Sequence, residues 1–314
     1  MRAAAAGKEV ARRVVHRLAC WSGLSSRVAR RGGGMRVLMY HGVTADAAPA
    51  FAAQVAYLAR RFSIVPLREI VDGVARGREP AAGALALTFD DGLRNNATVV
   101  YPILSDLRAT ATFFLCPGLI DAGRWLWNHE ARERLRALAP AARAAVCRRW
   151  PLPSSEPDTV VEWMKTLARA PREAVEAAVR AATPDFAPTP AQRERFDLMR
   201  WEDATSLDPT IVEIGSHTAH HPLLPALDDA EQAAEIGESR RWLERRLGRP
   251  VELFAYPNGA YDARAVARAR ECYRGAVSTD AAVVRRGADP YRLPRIPAAE
   301  TLPLLAWRLH RPTA

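Results

Sequence analysis

With 314 residues, 49% of them hydrophobic, the chain can bury one large α/β barrel with an insertion, or two domains. A formal net charge of +10 invites a nucleic-acid partner, but no zinc-finger, RNP or P-loop pattern supports one. Its arginines fall in pairs along helical stretches, so an anionic membrane surface or an acidic glycan suits the charge better than nucleic acid. Four cysteines, Cys20, Cys116, Cys147 and Cys272, lie far apart without a CxxC pair, which implies no disulfide framework and fits a reducing, cytoplasmic setting.

Residues 1–34 form a basic lead-in. The apolar patch from Val14 to Leu24 is interrupted by His16, Arg17 and Ser22, too short and too polar for a signal sequence or a membrane span. Val14, Leu18 and Trp21 recur at helical spacing beside Arg12, Arg13 and Arg17. That pattern suits an amphipathic helix in peripheral contact with an anionic membrane, and equally a solvent-facing lead-in. Gly32-Gly33-Gly34 then marks a linker; it precedes a strand, so it is not a dinucleotide fingerprint.

Beyond Gly34, strand-like runs fall at 36–42, 62–66, 84–89, 111–116, 212–216, 251–256 and 275–278. Helical periodicity lies between them, for instance at 51–61, 96–107, 229–247 and 263–273. Regular alternation predicts a parallel sheet with crossover helices, and seven or eight such units suggest a barrel. The spacing breaks once, between Cys116 and Val212, where a mostly helical insertion at about 118–200 leaves from a strand carboxyl end and should lie over or beside the active face. Within it Trp125 and Trp127 stand two apart, so one can stack on a sugar ring while the other anchors the loop; the competing reading makes both of them packing residues.

Two strand ends carry chemistry. The run Leu85-Ala86-Leu87-Thr88-Phe89 ends in Asp90-Asp91-Gly92, and two adjacent carboxylates can share a site only where the backbone turns, which Gly92 permits. Downstream, Val212-Glu213-Ile214-Gly215-Ser216 ends in His217-Thr218-Ala219-His220-His221. His217 and His221 sit four apart and can face the same way; with a carboxylate they make the ligand set of a catalytic zinc-type site, although spacing alone lets His220 replace His221.

These segments resemble the motifs of the polysaccharide deacetylases, the NodB-homology or carbohydrate esterase family 4 enzymes. Thr88-Phe89-Asp90-Asp91-Gly92 is similar to the first motif, His217-Thr218-x-x-His221 to the second, and Phe254-Ala255-Tyr256-Pro257-Asn258-Gly259 to the third. The likeness runs in order from about Arg36 to Ile296. It implies a distorted (β/α) barrel of about seven strands over 35–314, with the helical insertion, behind the segment 1–34. It also implies a metal-dependent hydrolase that removes N-acetyl, or O-acetyl, groups from an acetylated saccharide or glycolipid. Carried over, Asp90 is the catalytic base, Asp91, His217 and His221 hold one divalent ion (zinc first, with cobalt, manganese, nickel or iron able to replace it), and Tyr256, Pro257, Asn258 and Gly259 line the groove.

There are two departures. The familiar third motif carries a base-orienting arginine where this chain has Ala255, and Arg295 is the candidate replacement. The usual C-terminal histidine motif is not evident, since His310 lies in a basic helical stretch. However, Val37-Leu38-Met39-Tyr40-His41-Gly42-Val43 resembles the opening strand of the circularly permuted branch, where the strand-end histidine is the acid; that makes His41 the expected acid. The missing arginine keeps a second reading open, a carbohydrate-binding pseudoenzyme of the same fold. A zinc peptidase fails because His129-Glu130 is followed by Glu133 where a second histidine is required, and no GxSxG supports an acyl-serine esterase.

Overall fold

A computed structural model describes residues 14–31, 33–78 and 83–311; Arg12, Arg13 and Gly32 lie outside the described residues. Eight strands, all paired in parallel, run β1 (Arg36–Tyr40), β2 (Ser63–Ile64), β3 (Ala84–Phe89), β4 (Ala111–Leu115), β5 (Val212–Ser216), β6 (Leu253–Ala255), β7 (Gly275–Val277) and β8 (Ile296–Pro297). Seven of them follow one path, β7-β6-β5-β4-β3-β1-β8, and β2 pairs with the start of β3. A parallel bridge from Val277 to Leu293, just before β8, brings the two ends of the path together. The sheet is therefore a distorted barrel with surrounding helices, as the alternating pattern predicts. Two-residue β8 ends in Pro297 and carries no apolar run, so nothing in the sequence marked it as a strand.

Parallel strands need crossover helices, which cover the sheet; β3 and β4 are accordingly buried at every position. Successive side chains point to opposite faces, so Leu85, Leu87 and Phe89 join one apolar cluster with Val55, Leu58 and Leu104 of the covering helices. Ala84 and Ala86 join another cluster with Val37, Phe114, Ala255 and Val277. Each fully buried Leu or Phe contributes roughly 1.5–3 kcal/mol relative to exposure, which makes these clusters the frame that holds the strand ends fixed.

The insertion between β4 and β5 is helical, running from Pro117–Ala122 to Trp201–Thr205. Its central helices Trp127–Ala137, Pro157–Met164 and Arg169–Ala181 close over an apolar cluster of their own that includes Leu135, Val161 and Val175. Its far end returns to the site: Met199 N–H donates to the Gly92 carbonyl (2.9 Å) and Arg94 N–H to that of Asp197 (2.7 Å). The helix predicted over 229–247 is interrupted by a π turn at Ala234–Glu238, and that over 96–107 opens with one at Asn96–Val100. Among the described residues no helix is long and apolar enough to cross a membrane.

Candidate active site

The carboxyl ends of β1, β3, β5 and β6 deliver His41, Asp90 with Asp91, His217 and Tyr256. Directly after Phe89 the chain turns through two positive-φ residues, Asp91 (φ 74) and Gly92 (φ 70). A Cβ on Gly92 would stand 2.9 Å from the Leu115 side chain, so glycine is required there for space as well as for φ. This turn sends Asp90 and Asp91 into one small pocket of about 250 Å³ whose walls include His41, Asn128, His129, His217, His221 and Asn258. A larger cleft of about 920 Å³ shares His41, Asp91 and His129 with it and extends past Thr44, Glu194 and Glu300.

Asp91, His217 and His221 converge. Asp91 Oδ1 lies 3.6 Å from His217 Nε2 and 3.5 Å from His221 Nε2, and one donor atom from each residue falls within 4.8 Å of the others. These separations are too long for hydrogen bonds but match ligands of a common ion, which bonds of about 2.1 Å in tetrahedral array place roughly 3.4 Å apart. Burial is the main cause that pushes the His221 imidazole down, to about 3, so it stays neutral and able to donate a lone pair. Burial alone would raise the Asp91 carboxyl; the imidazoles of His129, His41, His221 and His217 outweigh it and hold Asp91 below the usual carboxylate range. His221 Nδ1 is buried without a hydrogen-bond partner, whereas His217 Nδ1 lies 2.7 Å from the Ala255 carbonyl, which turns its Nε2 towards Asp91. By donor chemistry and spacing these three residues fit a divalent ion.

Asp90, beside them, is held differently. Arg295 grips both of its oxygens at 2.7 Å, donates from Nε to the Ser278 carbonyl at 2.7 Å, and reaches Thr88 Oγ1 at 3.1 Å. Both partners of the pair are buried, Arg295 completely. Burial would raise the Asp90 carboxyl, but Arg295, then His217 and His41, hold it below its ordinary value.

The histidine loop owes its shape to a residue the sequence did not single out. Glu235, brought inward in the π turn, accepts the Ala219 and His220 N–H groups at 2.9 Å each and lies 2.9 Å from His220 Nδ1. His220 is thus drawn away from Asp91 while His221, at φ 55, faces it. A second unanticipated residue is His129 of the insertion, whose Nε2 lies 3.8 Å from Asp91 Oδ2 and whose ring stacks on Phe196 (4.7 Å). The only sequence signal for it was the incomplete His129-Glu130 pattern.

Other expectations are corrected. Neither Trp125 nor Trp127 lines the cleft: both are buried, Trp125 between Phe186 and Phe196 with its indole N–H on Asp197 (2.7 Å), and Trp127 under Arg172 with its N–H on the His221 carbonyl (3.2 Å). They pack the insertion, and Trp127 also ties it to the loop that carries His221. Tyr256 is buried with its hydroxyl on the Tyr291 carbonyl, Pro257 is buried, and Gly259 lies against Thr279; of this motif only Asn258 reaches the pocket. His310 sits against Trp307, next to Leu309, whose carbonyl accepts from Arg36 at the start of β1, far from the strand carboxyl ends.

A parallel barrel thus carries, at its strand carboxyl ends, a carboxylate and two histidines that could hold a metal ion. The family model for polysaccharide deacetylase matches residues 77–275, more than half of the chain, so the chain belongs to the polysaccharide deacetylase family. The structure is similar to Streptococcus pyogenes deacetylase PplD in complex with acetate (TM-score 0.60, 17% identity, covering 90% of this chain and 98% of that one). It is similar also to IcaB from Ammonifex degensii (TM-score 0.59, 19% identity, 88% and 97% covered) and to the deacetylase domain of BpsB from Bordetella bronchiseptica (TM-score 0.54, 15% identity, 85% and 96% covered). At these identities the likeness establishes the fold. No curated protein sequence matches the chain significantly.

Proposed function

We propose that the protein is a metal-dependent carbohydrate deacetylase that hydrolyses an N-acetyl group on a glycan or glycolipid, with Asp90 as base, His41 as acid, and Asp91, His217 and His221 holding one divalent ion. The observation that carries this reading is the buried Asp90–Arg295 pair set beside the Asp–His–His group at the floor of an open cleft. Zinc suits the donor set best. A divalent ion held there supplies Lewis-acid polarisation of the acetyl oxygen and acidifies a water.

The remaining work falls to side chains. Asp90, kept ionised by Arg295, takes the proton of the attacking water, and the bidentate grip fixes which lone pair faces it. Arg295 therefore takes the orienting role that Ala255 cannot. Expelling an amine requires a proton, and His41, exposed at the end of β1 where both cavities meet, is placed to supply it. His129 braces the outer oxygen of Asp91, leaving Oδ1 for the histidine side of the site. Asn258, which lines the same small pocket, is placed to contact substrate. Because Asp90 has its arginine, the binding-only pseudoenzyme loses the argument that supported it.

The test is acetate release from a panel of N-acetylated oligosaccharides by protein stripped of metal and reloaded with zinc, cobalt, manganese, nickel or iron. Turnover that needs a divalent ion and vanishes in Asp90→Asn is expected. Tight glycan binding without any acetate release, whatever the metal, would favour the pseudoenzyme instead.

A further inference from the structure

Six of the seven large hydrophobic side chains exposed among the described residues lie between residues 14 and 28: Val14, Val15, Leu18 (66% exposed), Trp21 (85%), Leu24 and Val28. Residues 14–21 form one helix and Leu24–Arg31 a second, joined by a turn at Gly23 (φ 71). At 100° per residue, His16, Ala19 and Cys20 share one face of the first helix, where Ala19 and Cys20 are buried and the His16 ring meets Trp307 at 4.7 Å. Val14, Leu18 and Trp21 share the opposite face. In the second helix Ser25 and Ala29 are buried and the Ala29 carbonyl accepts from Arg36, while Leu24 and Val28 face outward beside Arg27 and Arg31. The pair is thus docked on the barrel by one side and apolar again on the other, where a water-facing helix would be polar.

The charge of this segment is as uneven as its hydrophobicity. Residues 1–34 hold eight lysines and arginines against one glutamate, a surplus of seven out of ten for the whole chain, and no acidic residue occurs from Val14 to Arg31.

We propose that this helix pair is a docking surface for an anionic lipid bilayer, lying flat with Leu18 and Trp21 in the headgroup–acyl boundary and Arg17, Arg27 and Arg31 on the lipid phosphates. Charge complementarity selects this occupant. A second copy presenting the same face would bring like charge against like charge, and a nucleic acid would leave Leu18 and Trp21 in water. Arg36, which ties the pair to the barrel, begins β1, whereas His41 follows its end, so docking leaves the cleft uncovered. The proposal is independent of the reaction assigned to the cleft.

Sedimentation of the full chain with vesicles of phosphatidylcholine alone, or of phosphatidylcholine with phosphatidylglycerol, tests it without reading activity. Binding should require the anionic lipid, weaken in high salt, and fall about tenfold or more in the Leu18→Glu/Trp21→Glu double variant. Because both side chains are exposed, the variant should keep the wild-type thermal transition. Arg27→Gln/Arg31→Gln should weaken binding while leaving the apolar row intact. Wild-type protein that ignores anionic vesicles, or binding that survives the double substitution, overturns the proposal. A concentration-dependent dimer abolished by the same substitutions, without vesicle binding, assigns the face to a second copy and overturns it too.

Discussion

Replacing Arg295 by methionine probes how Asp90 is kept ready. In the wild type two charge-assisted hydrogen bonds of 2.7 Å stabilise the carboxylate against its burial. Bonds of that kind contribute about 1.5–3 kcal/mol each, large against the roughly 1.36 kcal/mol that corresponds to a tenfold change in rate. His217 and His41 still favour the ionised form after the substitution, so part of that stabilisation survives while the carboxyl moves upward. The sign follows from the direction of the native shift. A carboxyl held below its unfolded value is ionised at working pH, and its contribution to stability is present above the unfolded value and lost as pH falls through the folded one. Without Arg295, burial is opposed only by His217 and His41, and the Asp90 carboxyl moves up instead. The acid limb of kcat/KM should therefore shift to higher pH, with a loss of about 10- to 100-fold on that limb that shrinks as pH rises. Asp90→Asn, which has no proton-accepting form, should not recover at any pH. Arg295→Lys restores the charge but not the fork, so it should return the limb towards its wild-type position with a lower plateau. Acetate release measured across the pH range, with metal content and thermal unfolding followed in parallel, reads all three variants. A pH-independent loss in Arg295→Met, or an unmoved acid limb, would refute the orienting role.

Metal content should fall sharply in His217→Ala and His221→Ala but persist in His220→Ala, whose ring belongs to Glu235; loss only in the last would mean the ligands are misassigned. Glu235→Gln should lower metal affinity by about 10–100-fold, because it weakens the bonds that shape the ligand loop; equilibrium titration with a chelator reads this. His41→Ala should slow acetamide hydrolysis by about 10²–10⁴-fold and hydrolysis of an activated aryl acetate, whose leaving group needs no proton, far less. Equal losses on both substrates would make His41 a structural residue.

What the sequence made legible follows from the range of the interactions involved. The strands, the DDG turn and the His217–His221 spacing are local: period, turn chemistry and four-residue spacing are written in neighbouring letters, and the structure places Asp91, His217 and His221 together. Strand β8 was not visible, because Ile296 and Pro297 pair only after the whole barrel has brought Leu38 and Met39 alongside. Glu235 and His129 were missed for a related reason. One turns inward through a π turn that helical periodicity does not foresee, and the other reaches Asp91 from a lid separated from it by a strand and two helices. Trp125 and Trp127 were left by their spacing between a sugar-stacking role and packing, and the burial and hydrogen bonds of both indoles favour packing. Arg295 lies between these cases. Its motivation was an absence, an alanine at position 255, and a buried carboxylate that must stay ionised needs a cation from somewhere. That requirement belongs to the folded site and not to any one strand, so the arginine can come from a different part of the chain and still do the same work. Here it is the residue just before β8, so the strand that ends the sheet path also carries the cation to Asp90.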